Sequence, residues 1–419
     1  MNTGTVRNTI EMSPVDILKT KSHSTPAATI SEFAARGKRS SFSLIIEIAR
    51  LWFGIGHLSP DEYLELKLFD GDAFKGSDKK SFVGLKAARK IWLKANYRVE
   101  LFAMATNKIA SSIWFAAHGL PILPTLAIFH EQVGRSSSRL LRDDEELRAF
   151  LKNGEHYPMF GKPISGSQSI GSASIEAYQD GFLITTAGRL ISLENFVSYV
   201  KMHGATGYQF QSRVSPHAIV REICGARLAT VRILTIVTNG EPKILRACWK
   251  IPAGPHVADN FWRPGNLLAQ LDLASGRVLR VIRRVGSSYE EVTHHPDTSQ
   301  QIEGLVVPNW SEITRLAIDA AKLLDDLPLV GWDIAPTDSG AVLVESNVTP
   351  DFQLHQLSDR KGMLDATFAS FLKQRETDAA DAKRSFRRMA SSDKSIFLKS
   401  GRREIMSAIR FLFGMRAAK

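Results

Sequence analysis

The chain has 419 residues, 44% hydrophobic and 23% charged, an ordinary globular composition with room for two or three subdomains at roughly 100–200 residues each. Its two cysteines, Cys224 and Cys248, exclude a disulfide framework and point to a reducing compartment, and no run of about 18 uncharged apolar residues offers a membrane-spanning helix. Lys and Arg (54) exceed Asp and Glu (43) by 11, but from Lys373 onward 13 Lys/Arg stand against 5 Asp/Glu, so 8 of that surplus lies in the tail and the body is no basic nucleic-acid binder.

Residues 1–40 are polar, rich in Ser, Thr and Ala, and read as a flexible N-terminus. They carry no apolar stretch behind a basic one, so a signal peptide is not expected and the cytoplasm is. Residues 41–106 are patterned as helices, in SFSLIIEIARLWFGIGHL and in the run that starts at Asp78 and reaches His118, with turns at Ser59-Pro60 and Asp70-Gly71. A strand is expected within 121–129, a helix at Asp143–Lys152, a strand within 157–164, and a hairpin from 172–178 and 181–186. Strand signals dominate from Gly207 to Val285, and Asn239-Gly240 between two apolar runs marks a hairpin. Trp310–Leu327 reads as an amphipathic helix, followed by strands at 329–335 and 341–347 around an Asp338-Ser339-Gly340 turn. The body is therefore expected to be α+β or α/β, and no internal repeat is present.

In AVLVESN, Glu345 and Asn347 stand two apart on a strand, so both project from one face. Carboxylate and amide oxygens at that spacing suit a hard cation, and Asp333, folded back by the turn, would add a third oxygen; without Cys or His the set fits Mg²⁺ rather than zinc. The plainer alternative is an exposed polar strand end. Lys162 opens KPISGSQSIG, a Gly/Ser turn whose backbone N–H groups can cradle phosphate or simply close a hairpin. Arg232, amid ATVRILTIV, and Lys250, in ACWKIPAG, must each reach solvent or meet an anion, because an unpaired buried charge is costly. Asp259-Asn260 before WRPG reads as a turn.

Together these pieces resemble the ATP-grasp superfamily, in the order that superfamily uses. Asn107-Lys108 followed by GLPILPT is similar to the entry of that fold, FGKPISGSQSIG to its lysine and phosphate loop, and GYQFQSRVSPH to its adenine-binding hinge. TVRILT resembles the Arg-bearing strand of carboxylate–amine ligases, ADNFWRPGN their following turn, and GWD…VESN the metal site. Among subgroups, the sugar-transfer-associated ATP-grasp proteins related to α-L-glutamate ligases look most similar, over about Asn107 to Phe371. Departures are Ser212 where an acidic residue is usual, fewer glycines in the phosphate loop, and Lys250 where Arg is common.

The resemblance implies an α+β ATP-grasp fold, two α+β subdomains clasping ATP across residues 107–372, preceded by the helical region 41–106. It implies ATP and Mg²⁺ as cofactors, with Mn²⁺ as a substitute. Lys108, Lys162, Ser165, Gly166 and Ser167 would hold phosphates, Gln211 and Val214 the adenine end, and His217 the ribose unless it caps a helix. Asp333, Glu345 and Asn347 would hold the metal, while Arg232, Lys250 and Asn260 would act on the reacting groups. The implied reaction joins a small-molecule or sugar-linked carboxylate to an amine through an acyl phosphate, in surface-polysaccharide or sugar-conjugate synthesis. A kinase-like phosphotransferase and a nucleotide-binding scaffold without turnover remain as alternatives. The basic tail, 373–419, sets Ile405, Ile409, Leu412 and Phe413 near Arg402, Arg403, Arg410 and Arg416, a pattern that suits either the inner membrane surface or docking on the body.

Overall fold

The computed structural model describes residues 40–385, apart from 73, 75–77, 131–138, 165–169, 257 and 287. Helices α1 (Ser41–Phe53), α2 (Pro60–Glu65), α3 (Leu85–Ala95) and α4 (Phe102–Thr106) lie within 41–106, and α5 (Lys108–Ala117) follows them. Local chemistry sets the starts of these helices. Ser59 and Glu62 form a reciprocal capping box on α2, and the Asn107 side chain accepts the N–H groups of Ile109 and Ala110 at the head of α5.

The first sheet holds seven strands: β1 (Thr125–Phe129), β2 (Leu140–Leu141), β3 (Met159–Pro163), β4 (Ala173–Gln179), β5 (Phe182–Thr185), β6 (Leu190–Ser192) and β7 (Tyr208–Ser212). Their order is β2-β1-β7-β3-β4-β5-β6, antiparallel except for β1 beside β2. Helices α6 (Asp144–Lys152) and α7 (Leu193–His203) cover one face, where Phe150, Phe196, Tyr208 and Phe210 form the core. Because strand residues alternate between faces, Lys162, Gln209 and Gln211 turn to the other.

Helix α8 (Ala218–Cys224) leads to the second sheet: β8 (Val231–Thr238), β9 (Glu241–Ile251), β10 (Leu267–Leu271), β11 (Val278–Val285), β12 (Ser288–Val292), β13 (Leu329–Thr337) and β14 (Gly340–Asn347). The order is β12-β11-β10-β9-β8-β13-β14, with every neighbour antiparallel. Asn239 and Gly240, at φ 55° and 78°, make the expected hairpin turn with both central residues in the left-handed region. One face packs on α9 (Trp310–Leu323) through Trp249, Trp332, Ile313 and Ala317. The other is covered at its ends by α1–α3, by α10 (Phe352–Asp359) and by a helix α11 over 366–385. Helix α11 runs through residue 373, where the tail was expected to begin. Helix α9 stops at Leu323, four residues before its predicted end.

A bulge decides what the second sheet presents between those covers. From the turn inward Thr337 opposes Gly340 and Ile334 opposes Leu343, but Asp333 opposes Glu345, leaving Val344 as the extra residue. That single inserted residue turns Glu345 and Asn347 to the same face as Asp333. Without it they would point at α9.

Candidate functional site

The polar groups of the second sheet lie in one row across β14, β13, β8 and β9. Asp333 is paired in register with Glu345 on one side and with Arg232 on the other. The guanidinium of Arg232 grips Asp333 in a two-pronged ion pair, Nε to Oδ1 at 2.5 Å and Nη2 to Oδ2 at 2.8 Å. Lys250 Nζ donates to the same Oδ2 at 3.1 Å and to Asp259 Oδ1 at 3.4 Å. All three strand residues are buried. Burial alone would push the Asp333 carboxyl up, but Arg232 and Lys250 outweigh it and hold the group well below the usual range. Burial likewise opposes the charges of Arg232 and Lys250, and their carboxylate partners raise both. Gly331 completes the row, because a Cβ there would meet Pro350 at 3.0 Å and the Arg232 side chain at 3.2 Å.

Opposite this row stands the polar face of the first sheet. Lys162 is buried on β3 beside Gln209 of β7. Burial draws its ammonium down to about 8, with Glu345 and Asp333 pulling upward and Lys108 downward. Lys108, at the capped start of α5, joins the two sides: its Nζ donates to the Ile164 carbonyl at 3.3 Å and lies 3.8 Å from Glu345 Oε1. The structure therefore brings Lys108, Lys162, Glu345, Asp333, Arg232 and Lys250 to one cleft.

Several buried polar atoms around the cleft have no hydrogen-bond partner among the described residues: Gln209 Oε1, Gln211 Oε1, Asn347 Nδ2 and both ring nitrogens of His355. Native proteins leave few such groups unanswered. The two glutamines do use their amide nitrogens, Gln209 on Thr125 Oγ1 at 2.7 Å and Gln211 on the Leu123 carbonyl at 3.4 Å. Their free carbonyl oxygens lie on the face turned away from the Tyr208–Phe210 core.

Two expected residues make contacts outside that row. His217 stands at the head of α8, where its Nδ1 accepts the Ile219 N–H as a cap. Asn260 closes a turn, its Oδ1 accepting the Trp262 N–H at 3.1 Å and its carbonyl the Asn266 amide, and it is Asp259 that reaches Lys250. Asp333 lies in the row, and both of its oxygens accept from Arg232 and Lys250. Val214 lies half-buried just beyond β7, where the neighbouring Arg213 pairs with Glu176. Ser165, Gly166 and Ser167 lie outside the described residues.

Sequence reading missed Asp259, whose Oδ2 also accepts both the N–H and hydroxyl of Thr230 at 2.8 and 2.5 Å. It missed Asp351 too, which caps α10 and accepts the Trp262 indole N–H at 2.8 Å. The Asp-Phe-Gln start of α10, four residues past Asn347, was the available signal. Among the described residues no three His, Cys, Asp or Glu gather as a metal cage.

The comparison with curated proteins gave no match. Among solved structures the chain is similar to a D-alanine–D-alanine ligase from Coxiella burnetii, at 13% identity and a TM-score of 0.40 over 70% of this chain and 62% of that one. It is also similar to a biotin carboxylase from Campylobacter jejuni, at 12% and 0.43 over 70% and 53%. An L-amino acid ligase from Bacillus licheniformis matches at 11% and 0.32 over 61% and 42%. In each case the chain spans less than two thirds of the other structure's length. A family model described as sugar-transfer associated ATP-grasp matches residues 88–369, from within α3 to α11 and so across both sheets and the whole cleft. The chain belongs to the sugar-transfer associated ATP-grasp family, and its α+β body has the ATP-grasp fold.

Proposed function

We propose that the protein is an ATP-dependent, ADP-forming ligase that activates a carboxylate as an acyl phosphate and couples it to an amine. The observation that carries this reading is the opposition across one cleft of two lysines, Lys108 and Lys162, and an oxygen row, Glu345 with Asn347, beside the buried Arg232–Asp333–Lys250 cluster. Triphosphate needs cations and metal-binding oxygens together.

The donors fit a magnesium ion shared with nucleotide phosphates better than a closed protein cage. Magnesium is commonly held by one or two carboxylates with phosphates and water filling its shell. Glu345 is about one-third exposed, and the buried Asn347 Nδ2, an N–H donor without a partner among the described residues, would give to a phosphate oxygen while Oδ1 turns to the metal. Asp333 is the third donor in this reading: a carboxylate offers about four lone-pair sites, and its three bonds to Arg232 and Lys250 leave one. When bound, the metal would neutralise phosphate charge.

Lys108 and Lys162 would set the phosphates, and the orphaned carbonyls of Gln209 and Gln211 would accept from the base. Arg232 and Lys250, fixed in place by Asp333, would meet charge developing on the carboxylate as it takes the γ-phosphoryl group. An amine then attacks the acyl phosphate, the C–N bond forms and inorganic phosphate leaves. ATP supply places the reaction in the cytoplasm, and the family's description favours a small-molecule or sugar-linked substrate.

Incubation of the protein with ATP, Mg²⁺ and a panel of amino acids and carboxylated sugars should release ADP and phosphate only when acid and amine are both present. Glu345→Gln should lower that turnover by at least about a hundredfold while leaving the unfolding temperature unchanged. AMP with pyrophosphate would overturn the acyl-phosphate route, and a phosphorylated hydroxyl would make the protein a kinase. Tight ATP binding without turnover would make it a scaffold.

A further inference from the structure

Helix α1 is apolar on two opposite faces. Leu44, Ile48 and Leu51 turn inward onto Tyr63, Leu66 and Phe74, which accounts for one face. Phe42, Ile45, Trp52 and Phe53 recur at helical spacing on the other, where Phe42 is 74% and Phe53 83% exposed. Ile55, 74% exposed, extends the stripe just past the helix end. Single exposed apolar residues need no explanation, but a continuous aromatic stripe on one helix does.

The chemistry around the stripe selects its occupant. Arg50 borders it on the helix, and Lys79 and Lys80 stand across a cleft from Arg50 that Glu47 and Asp78 also line, with Lys79 held by Glu47 at 2.7 Å. Aromatic side chains with basic groups beside them suit a boundary that is oily below and anionic above. A second copy suits it less. Helix α1 is about 20 Å long at 1.5 Å per residue, and two such stripes bury much less than the roughly 1,200 Å² of a stable interface.

We propose that α1 lies on an anionic lipid surface, with Phe42, Ile45, Trp52, Phe53 and Ile55 entering the headgroup–acyl boundary and Arg50, Lys79 and Lys80 meeting lipid phosphates. The α1 surface precedes the residues matched by the family model, and its use does not depend on the reaction in the cleft.

The test uses the full-length protein with vesicles of phosphatidylcholine, alone or with about one-third phosphatidylglycerol. The protein should co-sediment with the anionic vesicles. The double variant Phe42→Ser, Phe53→Ser should weaken that partition by at least about tenfold, because each change removes a ring from the lipid at little cost to the folded state. Arg50→Gln with Lys80→Gln should remove the preference for anionic over neutral vesicles. Unfolding temperature and ATP binding should stay as in the wild type, and the single change Phe53→Ser carries the same comparison if the double variant fails to fold. The proposal is overturned by absence of vesicle binding, or by binding that the Phe changes leave intact, which would move the contact to another part of the chain. It is equally overturned if light scattering shows a dimer that the Phe changes dissolve.

Discussion

At the residue scale, the two most informative charges behave in opposite ways. Lys162 is buried and held down at about 8, well below an ordinary lysine. Triphosphate beside it would favour the ammonium and draw its value back up. Near pH 8.5, then, ATP binding should take up a proton, and calorimetry in buffers of different ionisation enthalpy should detect it; Lys162→Met should abolish that uptake. The same lowering fixes the direction of the stability effect. From about pH 8 up to the free-lysine range the unfolded chain holds a proton that the folded chain lacks, so this group's contribution to stability rises with pH across that window. Asp333 is the converse, a carboxylate whose lowered value comes from Arg232 and Lys250. Replacing it by Asn strands two buried cations and should cost about 3–5 kcal/mol. In denaturant unfolding, Arg232→Met with Asp333→Leu together should cost clearly less than the sum of the two single changes. Additive losses would mean that the pair is not a coupled unit.

At the element scale, much of the site was legible because its strands announce themselves. Ala341–Asn347 and Leu329–Ala335 are apolar runs around a Ser-Gly turn, and folding them back at that turn does bring Asp333 beside Glu345. The Val344 bulge that puts Glu345 on the correct face has no sequence mark, and neither does the register that pairs Arg232 with Asp333. Cross-strand partners are set by neighbours far along the chain. Helix α10 was marked only by its Asp351 cap, for a different reason: Phe352 and Leu354–Ser358 are all buried, so no polar face gives it a period. Helix α5 was legible at its cap, and the cap bears on function because α5 carries Lys108 on its first turn. Asn107→Ala should cost about 1 kcal/mol of stability. It should also weaken ATP binding, whereas Asn107→Asp should preserve both; equal ATP affinity in all three proteins would separate the cap from the position of Lys108.

At the scale of the whole molecule, the match to the family model and the extent of the folding unit do not coincide. The model begins at residue 88, inside α3. The core does not begin there. Leu44, Leu51, Tyr63 and Phe82 share a buried cluster with Cys248, Leu268 and Ile282 of the second sheet and with Leu354 and Leu357 of α10. Polar contacts seal the same boundary: Gln356 exchanges hydrogen bonds with the Val83 backbone in both directions, and Arg284 reaches Glu65 at 2.6 Å. Helix α10 follows directly from the strand that carries Glu345 and Asn347, so the N-terminal helices support the site from behind. A chain shortened to begin at residue 85 would expose Leu268, Ile282, Leu354 and Leu357 together. At about 25 cal/mol per Å² of apolar surface, several such side chains amount to a large part of the 5–15 kcal/mol that holds a domain together. That shortened chain should aggregate or unfold without cooperativity, while one beginning at residue 40 should keep the wild-type unfolding temperature and ATP affinity. If the shorter chain also folds and binds ATP, the helical region is a separate module resting on the sheet, and only the proposed lipid contact of α1 would remain to explain its presence.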